Sequence, residues 1–244
     1  MTTDQVLRFA GPEALIERAA DLLVARIAEI QADRERIVHL CLTGGRIAHQ
    51  LYEAFGARIE SSTVDPGRLE LWWTDERFVP TDDPARHAGP ALAQLAGQFA
   101  LDPARTHPMP AADGVADADA AAATYAKELG DVAFDICLLS IGPEGHVAGI
   151  FPGHPSFDPT GQTVIGLTAS PKGSGDRISL TVGALRRSHE VWFLLSGPDK
   201  ADAAVRAMNG DEDIPAGVVR GADDTLWFID RDAAAGLPWF RASL

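Results

Sequence analysis

A single histidine stands in the most chemically suggestive stretch of the chain. An apolar run from Phe134 to Ile141 reads as a buried strand and stops at Gly142-Pro143-Glu144-Gly145; His146 follows at once, then Val147-Ala148-Gly149-Ile150-Phe151-Pro152-Gly153. A neutral imidazole is suited to taking and returning a proton near pH 7. Strand ends with glycine-rich turns are where open α/β sheets put their chemistry, so His146 is the candidate reacting group. Three further strand ends carry complementary groups. Residues 69–73 lead into Thr74-Asp75-Glu76-Arg77, where consecutive charges after an aromatic strand are either an ion pair that fastens the loop or groups put to use. Thr43-Gly44-Gly45-Arg46 joins a strand to a helix, which is the layout in which backbone N–H groups meet an anion, or equally a plain tight turn. No Gly-Lys-Ser/Thr follows it and the GxGxxG pattern is missing, so it is neither a Walker loop nor a dinucleotide fingerprint. Ser196-Gly197-Pro198-Asp199-Lys200 is a second strand–Gly–helix junction with a lysine in the first helical turn, and Arg177 stands at the mouth of another strand.

The elements that must position these groups alternate along the chain. Residues 12–31 carry apolar positions at helical spacing (Leu15, Ile16, Ala19, Leu22, Leu23, Ile27, Ile30), a strand is expected over 36–42, and a helix over about 47–56. Weak helices are expected at 90–100 and 116–129, the second alanine-rich and solvated, with a mobile loop at 81–89 and a flexible one at 169–176. Strands are expected at 162–168, 177–181, 191–195 and 226–229, and helices from Lys200 through Met208 and from Asp230 through Ala235. No repeat or low-complexity linker divides the chain. The class is α/β with a largely parallel sheet, organised as a single domain over residues 1–244.

Bulk properties narrow the partners. A formal net charge of −14 argues against nucleic acid and against anionic membrane surfaces. It leaves a small anion open, because salt screens over roughly 8 Å and the local cations decide. Lysine occurs only at Lys127, Lys172 and Lys200, which singles out the last of these. The two cysteines, Cys41 and Cys137, fall inside expected strands, as reduced buried thiols do, and no leader or membrane-spanning segment is recognisable, so a cytoplasmic location is expected. His39 is expected to be a satisfied core histidine, and His49, His107 and His189 ordinary helix or surface residues.

Taken in order, Thr43-Gly44-Gly45-Arg46, Asp75-Glu76-Arg77-Phe78-Val79-Pro80, Gly142 through Gly153, Arg177-Ile178-Ser179-Leu180-Thr181, Gly197-Pro198-Asp199-Lys200 and Ile214-Pro215-Ala216 resemble the 6-phosphogluconolactonase family, in the superfamily shared with glucosamine-6-phosphate deaminase. The likeness runs from the first helix to Asp230. It implies a Rossmann-like three-layer architecture and hydrolysis of 6-phosphoglucono-1,5-lactone to 6-phosphogluconate in the oxidative pentose phosphate pathway. Neither cofactor nor metal is implied, and the partner is the phosphosugar lactone itself, on a monomer or small homo-oligomer. By the same resemblance His146 is the general base, with Asp75 and Arg77 beside it; Gly44, Gly45, Arg46, Arg177, Lys200 and Glu144 are the substrate- and phosphate-binding groups.

The chain departs from the family pattern at four positions. Arg46 stands where a small polar residue commonly follows the glycines, and Glu144 stands for the usual Asp before Gly-His. Gly149 stands where Ser is frequent, and His87 near an Asn. Two alternatives were weighed. A deaminase would continue from Gly-His toward Asn-Glu-Pro-Gly, where this chain has Ile150-Phe151-Pro152-Gly153. A silent sugar-phosphate-binding regulator would be expected to lose the base or Asp75, and both are present.

Overall fold

The strands of the central sheet are short apolar runs, each too hydrophobic on both faces to stand at a surface, and this is the composition of a parallel sheet covered by helices. The computed structural model describes residues 3–158, 160–168, 170–171 and 175–237. Its elements follow in order: β1 (Thr3–Phe9), α1 (Pro12–Ile30), β2 (Val38–Leu42), α2 (Arg46–Ile59), β3 (Leu69–Trp73), β4 (Asp75–Arg77), α3 (Ala88–Ala96), α4 (Ala118–Leu129), β5 (Ile136–Leu139), β6 (Val164–Leu167), β7 (Arg177–Leu180), α5 (Val182–Leu185), β8 (Glu190–Leu195), α6 (Ala201–Met208), α7 (Pro215–Val218) and β9 (Asp224–Asp230).

Six strands form one sheet in the order β1-β9-β8-β5-β2-β3, every neighbouring pair parallel. The expected three-layer α/β architecture is borne out. Strand order reverses between β2 and β5: the chain leaves β2 for β3 on one side and leaves β5 for β8 on the other. A crevice opens at the carboxyl ends of two such strands, and the Gly44–Gly45 turn and His146 both follow directly from them. A second sheet, β4-β7-β6, is antiparallel, with Asp75 opposite Ser179 and Arg77 opposite Arg177. Asp75-Glu76-Arg77 is thus a strand in its own right rather than a loop, and it carries alternate side chains onto a common face.

Both tyrosines of the chain do the same job. At the end of β2 the Tyr52 hydroxyl accepts the N–H of Thr43 (2.9 Å) and donates to its carbonyl (2.7 Å). At the end of β3 the Tyr125 hydroxyl accepts the N–H of Trp73 (3.0 Å) and donates to its carbonyl (3.4 Å). Burial pushes both phenols well above their ordinary pKa. Each stays protonated and stitches a strand terminus just before a site-bearing turn.

Several expectations change. β1 was not foreseen: Thr-Asp-Gln-Val-Leu-Arg-Phe has no clean alternation and becomes a strand by pairing with β9, more than two hundred residues away. The expected helix after Asp230 is a run of turns at 231–236. α4 is not a solvated helix, since Ala118, Ala121, Ala122, Tyr125 and Leu129 are buried and it packs on β6. The loop after Pro80 is tied down by the N–H and hydroxyl of Thr81 donating to Asp113 and by buried Arg86 donating to the Met109 carbonyl (2.6 Å). Of the expected flexible loop 169–176, residues 169 and 172–174, Lys172 among them, lie outside the described residues. Cys41 and Cys137 are buried, free, and partners in the β2–β5 register. No helix among the described residues is long and apolar enough to cross a membrane.

Tyr52→Phe removes one hydroxyl and leaves a buried N–H and carbonyl of Thr43 without their partner. It is expected to lower unfolding free energy by about 1–3 kcal/mol in urea denaturation, and an unchanged midpoint would contradict the clamp.

Candidate active site

The β5 strand ends at Leu139, and its turn is shaped around the His146 ring. Gly145 donates to the Gly142 carbonyl and Gly142 donates to the His146 carbonyl, both at 2.9 Å, folding the turn back on itself. Gly145 has φ +95° and Gly142 lies so close to the imidazole that a Cβ there would overlap it. His146 Nδ1 donates to Glu144 Oε1 (2.9 Å), which places the neutral ring's proton on Nδ1 and leaves the Nε2 lone pair to accept one. The longer carboxylate of Glu144 therefore reaches the histidine. Phe151, buried, lies against the imidazole with centroids 4.8 Å apart and planes tilted 31°.

The opposite wall comes from the antiparallel sheet. Asp75 and Arg177 form a buried ion pair, Nη1 to Oδ2 3.1 Å. Arg77 stands directly across from Arg177 in the register and has no salt-bridge partner among the described residues. Its Nε is buried without a hydrogen-bond partner, and burial followed by the nearby Arg177 charge lowers its pKa from the usual arginine value. Like charges facing each other across an antiparallel pair are unfavourable, and an anion between them relieves the repulsion. Glu76, between them in sequence, points away. Fully buried, it accepts the N–H groups of Arg77 (2.8 Å), His87 (2.8 Å) and Ala88 (2.9 Å), fastening its own strand to the start of α3.

On the flanks, Gly45 (φ +105°) opens α2 with no side-chain cap, so the first N–H groups of that helix are available to a ligand. Lys200, paired with Asp199 at 3.0 Å, starts α6 after a turn held by Asp230, which accepts from Ser196 Oγ (2.7 Å) and Gly197 N (3.2 Å). Gly149 donates to Ser179 Oγ (2.9 Å), and a Cβ on Gly149 would come within 2.8 Å of the Ser179 Cβ. A serine at position 149 would not fit here.

These walls enclose a cleft of about 260 Å³. Gly44, Gly45, Asp75, Arg77, His146, Arg177 and Lys200 all line it, so the structure gathers most of the predicted set, and three cations face one carboxylate in a chain that is acidic overall. Glu144 sits behind His146 rather than in the lining, and Arg46, the first residue of α2, is exposed and outside it. Thr43, Ser140 and His87 line the cleft without having been predicted; the signal at His87 was its departure from the family pattern. His154 is turned to local structure, accepting from Ser156 N (3.1 Å). His39 accepts from Trp72 Nε1 (3.3 Å) and His107 stacks on Trp72 at 3.8 Å, both far in sequence from the cleft residues. Among the described residues no group of three His, Cys, Asp or Glu side chains is placed to hold a metal ion.

A doubly flanked switch point carrying a histidine and a cluster of cations defines a sugar-phosphate-type α/β site, and sequence comparison makes this specific. The chain belongs to the glucosamine-6-phosphate isomerase/6-phosphogluconolactonase family, whose profile matches residues 10–227. It is 42% identical to a 6-phosphogluconolactonase of Streptomyces coelicolor over 250 aligned residues, covering 97% of this chain and 95% of that one. The corresponding protein of Mycobacterium tuberculosis is 38% identical, covering 94% and 97%. Among solved structures, a Thermotoga maritima 6-phosphogluconolactonase superposes with a TM-score of 0.83 at 22% identity, covering 94% of this chain and 100% of that one. A monomeric glucosamine-6-phosphate deaminase gives 0.79 at 23%, covering 95% and 99%. Both structures share the fold, and at that identity the likeness speaks to the fold alone.

Gly142→Ala is expected to push the imidazole off Glu144. The His146 ring 15N signals would then lose the Nδ1-protonated pattern while the global fold persists; unchanged ring signals would contradict the packing described.

Proposed function

We propose that the chain hydrolyses 6-phosphoglucono-1,5-lactone to 6-phosphogluconate, the lactone-opening step of the oxidative pentose phosphate pathway, as a single cytoplasmic domain acting on a small phosphosugar. The observation that carries the reading is His146, its Nδ1 on Glu144 and one face on Phe151, set in a cleft rich in cations. The family and its named relatives supply the substrate class.

The chemistry follows from these groups. Glu144 holds the ring so that Nε2 accepts a proton from water as the water oxygen bonds to the lactone carbon. General-base assistance of this kind is worth roughly 10²–10⁴ in rate. Charge that builds on the carbonyl oxygen meets Arg77, the cation without a carboxylate partner among the described residues. Collapse of the tetrahedral species breaks the bond to the ring oxygen, and the imidazolium returns its proton there, giving a free hydroxyl and a carboxylic acid that ionises. No covalent nucleophile is required, because a lactone is already activated. Arg177, steadied by Asp75, holds the distal phosphate together with Lys200 and the N–H groups of the Gly44–Gly45 turn, and so aligns the reacting end.

Phe151 weighs against the deaminase reading. The residue after Ile150 is buried and packed on the imidazole, where that branch would carry a glutamate. The buried free thiols support a reducing compartment, and the acidic chain supports neither nucleic acid nor an anionic membrane as a partner; a monomer or small homo-oligomer suffices for a site built from one chain.

Purified protein should accelerate loss of freshly made 6-phosphogluconolactone above its spontaneous rate. His146→Ala should lose about 10²–10⁴ of that acceleration while still binding 6-phosphogluconate. Glu144→Gln should fall between the two. Ammonia release from glucosamine 6-phosphate, without lactone hydrolysis, would overturn the reading.

A further inference from the structure

Rest on the lactonase reading and one cleft residue has no role in it. His87 precedes α3, is four-fifths buried, and lies flat against the Gly44 backbone, so that a Cβ on Gly44 would overlap its ring. Its Nδ1 sits 3.3 Å from the Asp75 carbonyl oxygen, an acceptor only, so Nδ1 carries the proton and donates. The ring's other nitrogen, Nε2, has no hydrogen-bond partner among the described residues, and His87 lines the cleft, so Nε2 is the atom left to meet a ligand. It stands beside the Gly-Gly turn and the uncapped start of α2.

We propose that His87 is a specificity-determining residue for the phosphate group: on binding, Nε2 takes up a proton from solvent and donates N–H to a phosphate oxygen, while Nδ1–H stays on the Asp75 carbonyl. The charged ring is supported by Asp75 Oδ1 and Glu76 Oε1, each 4.0 Å from Nδ1. It is opposed by Arg77, Arg177 and Lys200 across the cleft, by Arg86 next in the chain, and by any charge on His49 of α2. In the empty cleft the surrounding cations favour the neutral ring; a phosphate dianion neutralises them and admits the proton. A structural cap would need neither Nε2 nor its protonation. The sign follows: the His87 contribution to affinity is present where the ring can be protonated in the complex and fades as pH rises beyond that range.

His87→Asn and His87→Gln test this with 6-phosphogluconate and inorganic phosphate as probes, by calorimetry and by ring 15N NMR. Both variants should bind 6-phosphogluconate about tenfold or more weakly. They should raise KM with kcat largely kept, and should lower the preference for 6-phosphogluconolactone over glucono-1,5-lactone by the same factor. In the wild type, the His87 Nε2 signal should move to the protonated range on adding 6-phosphogluconate. Unchanged affinity, an equal loss for both lactones, or an Nε2 that stays unprotonated in the complex would each overturn the assignment. A wild-type protein that binds inorganic phosphate through His87 yet hydrolyses no lactone would retire the preceding section's function and leave this residue's role standing.

Discussion

Strands β2 and β5 lie side by side while their chains depart in opposite directions, and this one topological constraint determines where everything else must go. Connections that diverge leave the space above the two carboxyl ends uncovered, so whatever follows those strands faces a crevice. After β2 comes a glycine turn opening a helix, and after β5 comes a glycine turn holding an imidazole. The floor of the crevice is stiff because the hydroxyl of Tyr52 closes the end of β2 on itself, as that of Tyr125 does for β3. Precision in the turns is inherited from the strands below them.

The roof is a matter of electrostatics. The antiparallel sheet sets Arg77 against Arg177 and supplies a single carboxylate, Asp75, which it commits to Arg177. Such an arrangement is unfavourable in isolation and favourable with an anion present, so the protein stores a preference for its ligand in the register of two short strands. Glu76 makes this possible. By tying its strand to the start of α3 from a fully buried position, it holds the register under repulsion that would otherwise splay it.

How much of this was legible in the sequence depended on whether the deciding contact was local. The β2 and β5 turns were readable because each is an apolar run ended by glycines, and the elements placing His146, Gly44 and Lys200 were found within a few residues of where they fall. Asp75-Glu76-Arg77 carried two readings, and both hold: Asp75 is in an ion pair, yet with Arg177 rather than its neighbour Arg77, and the pair lines the cleft. Nothing local announces a partner a hundred residues on. β1 escaped for the same reason, being made a strand by β9. Arg46 looked like a natural anion ligand beside two glycines, but the first turn of α2 directs it to solvent. His87 was visible only as an oddity, because its meaning lies in the Gly44 backbone it rests against.

The contact between Gly149 and Ser179 bears on how such a sequence can change. Relatives often carry a serine where Gly149 stands, whereas here the hydroxyl comes from the facing strand and receives the Gly149 N–H. The two positions share one side chain's worth of room. A serine gained at 149 with Ser179 retained would collide, and a glycine at both would leave a void and an unmet N–H. Passage between the two arrangements therefore runs through an intermediate less fit than either end. Lineages on opposite sides of that barrier are separated by sterics at a pair of residues, whatever reaction they continue to share.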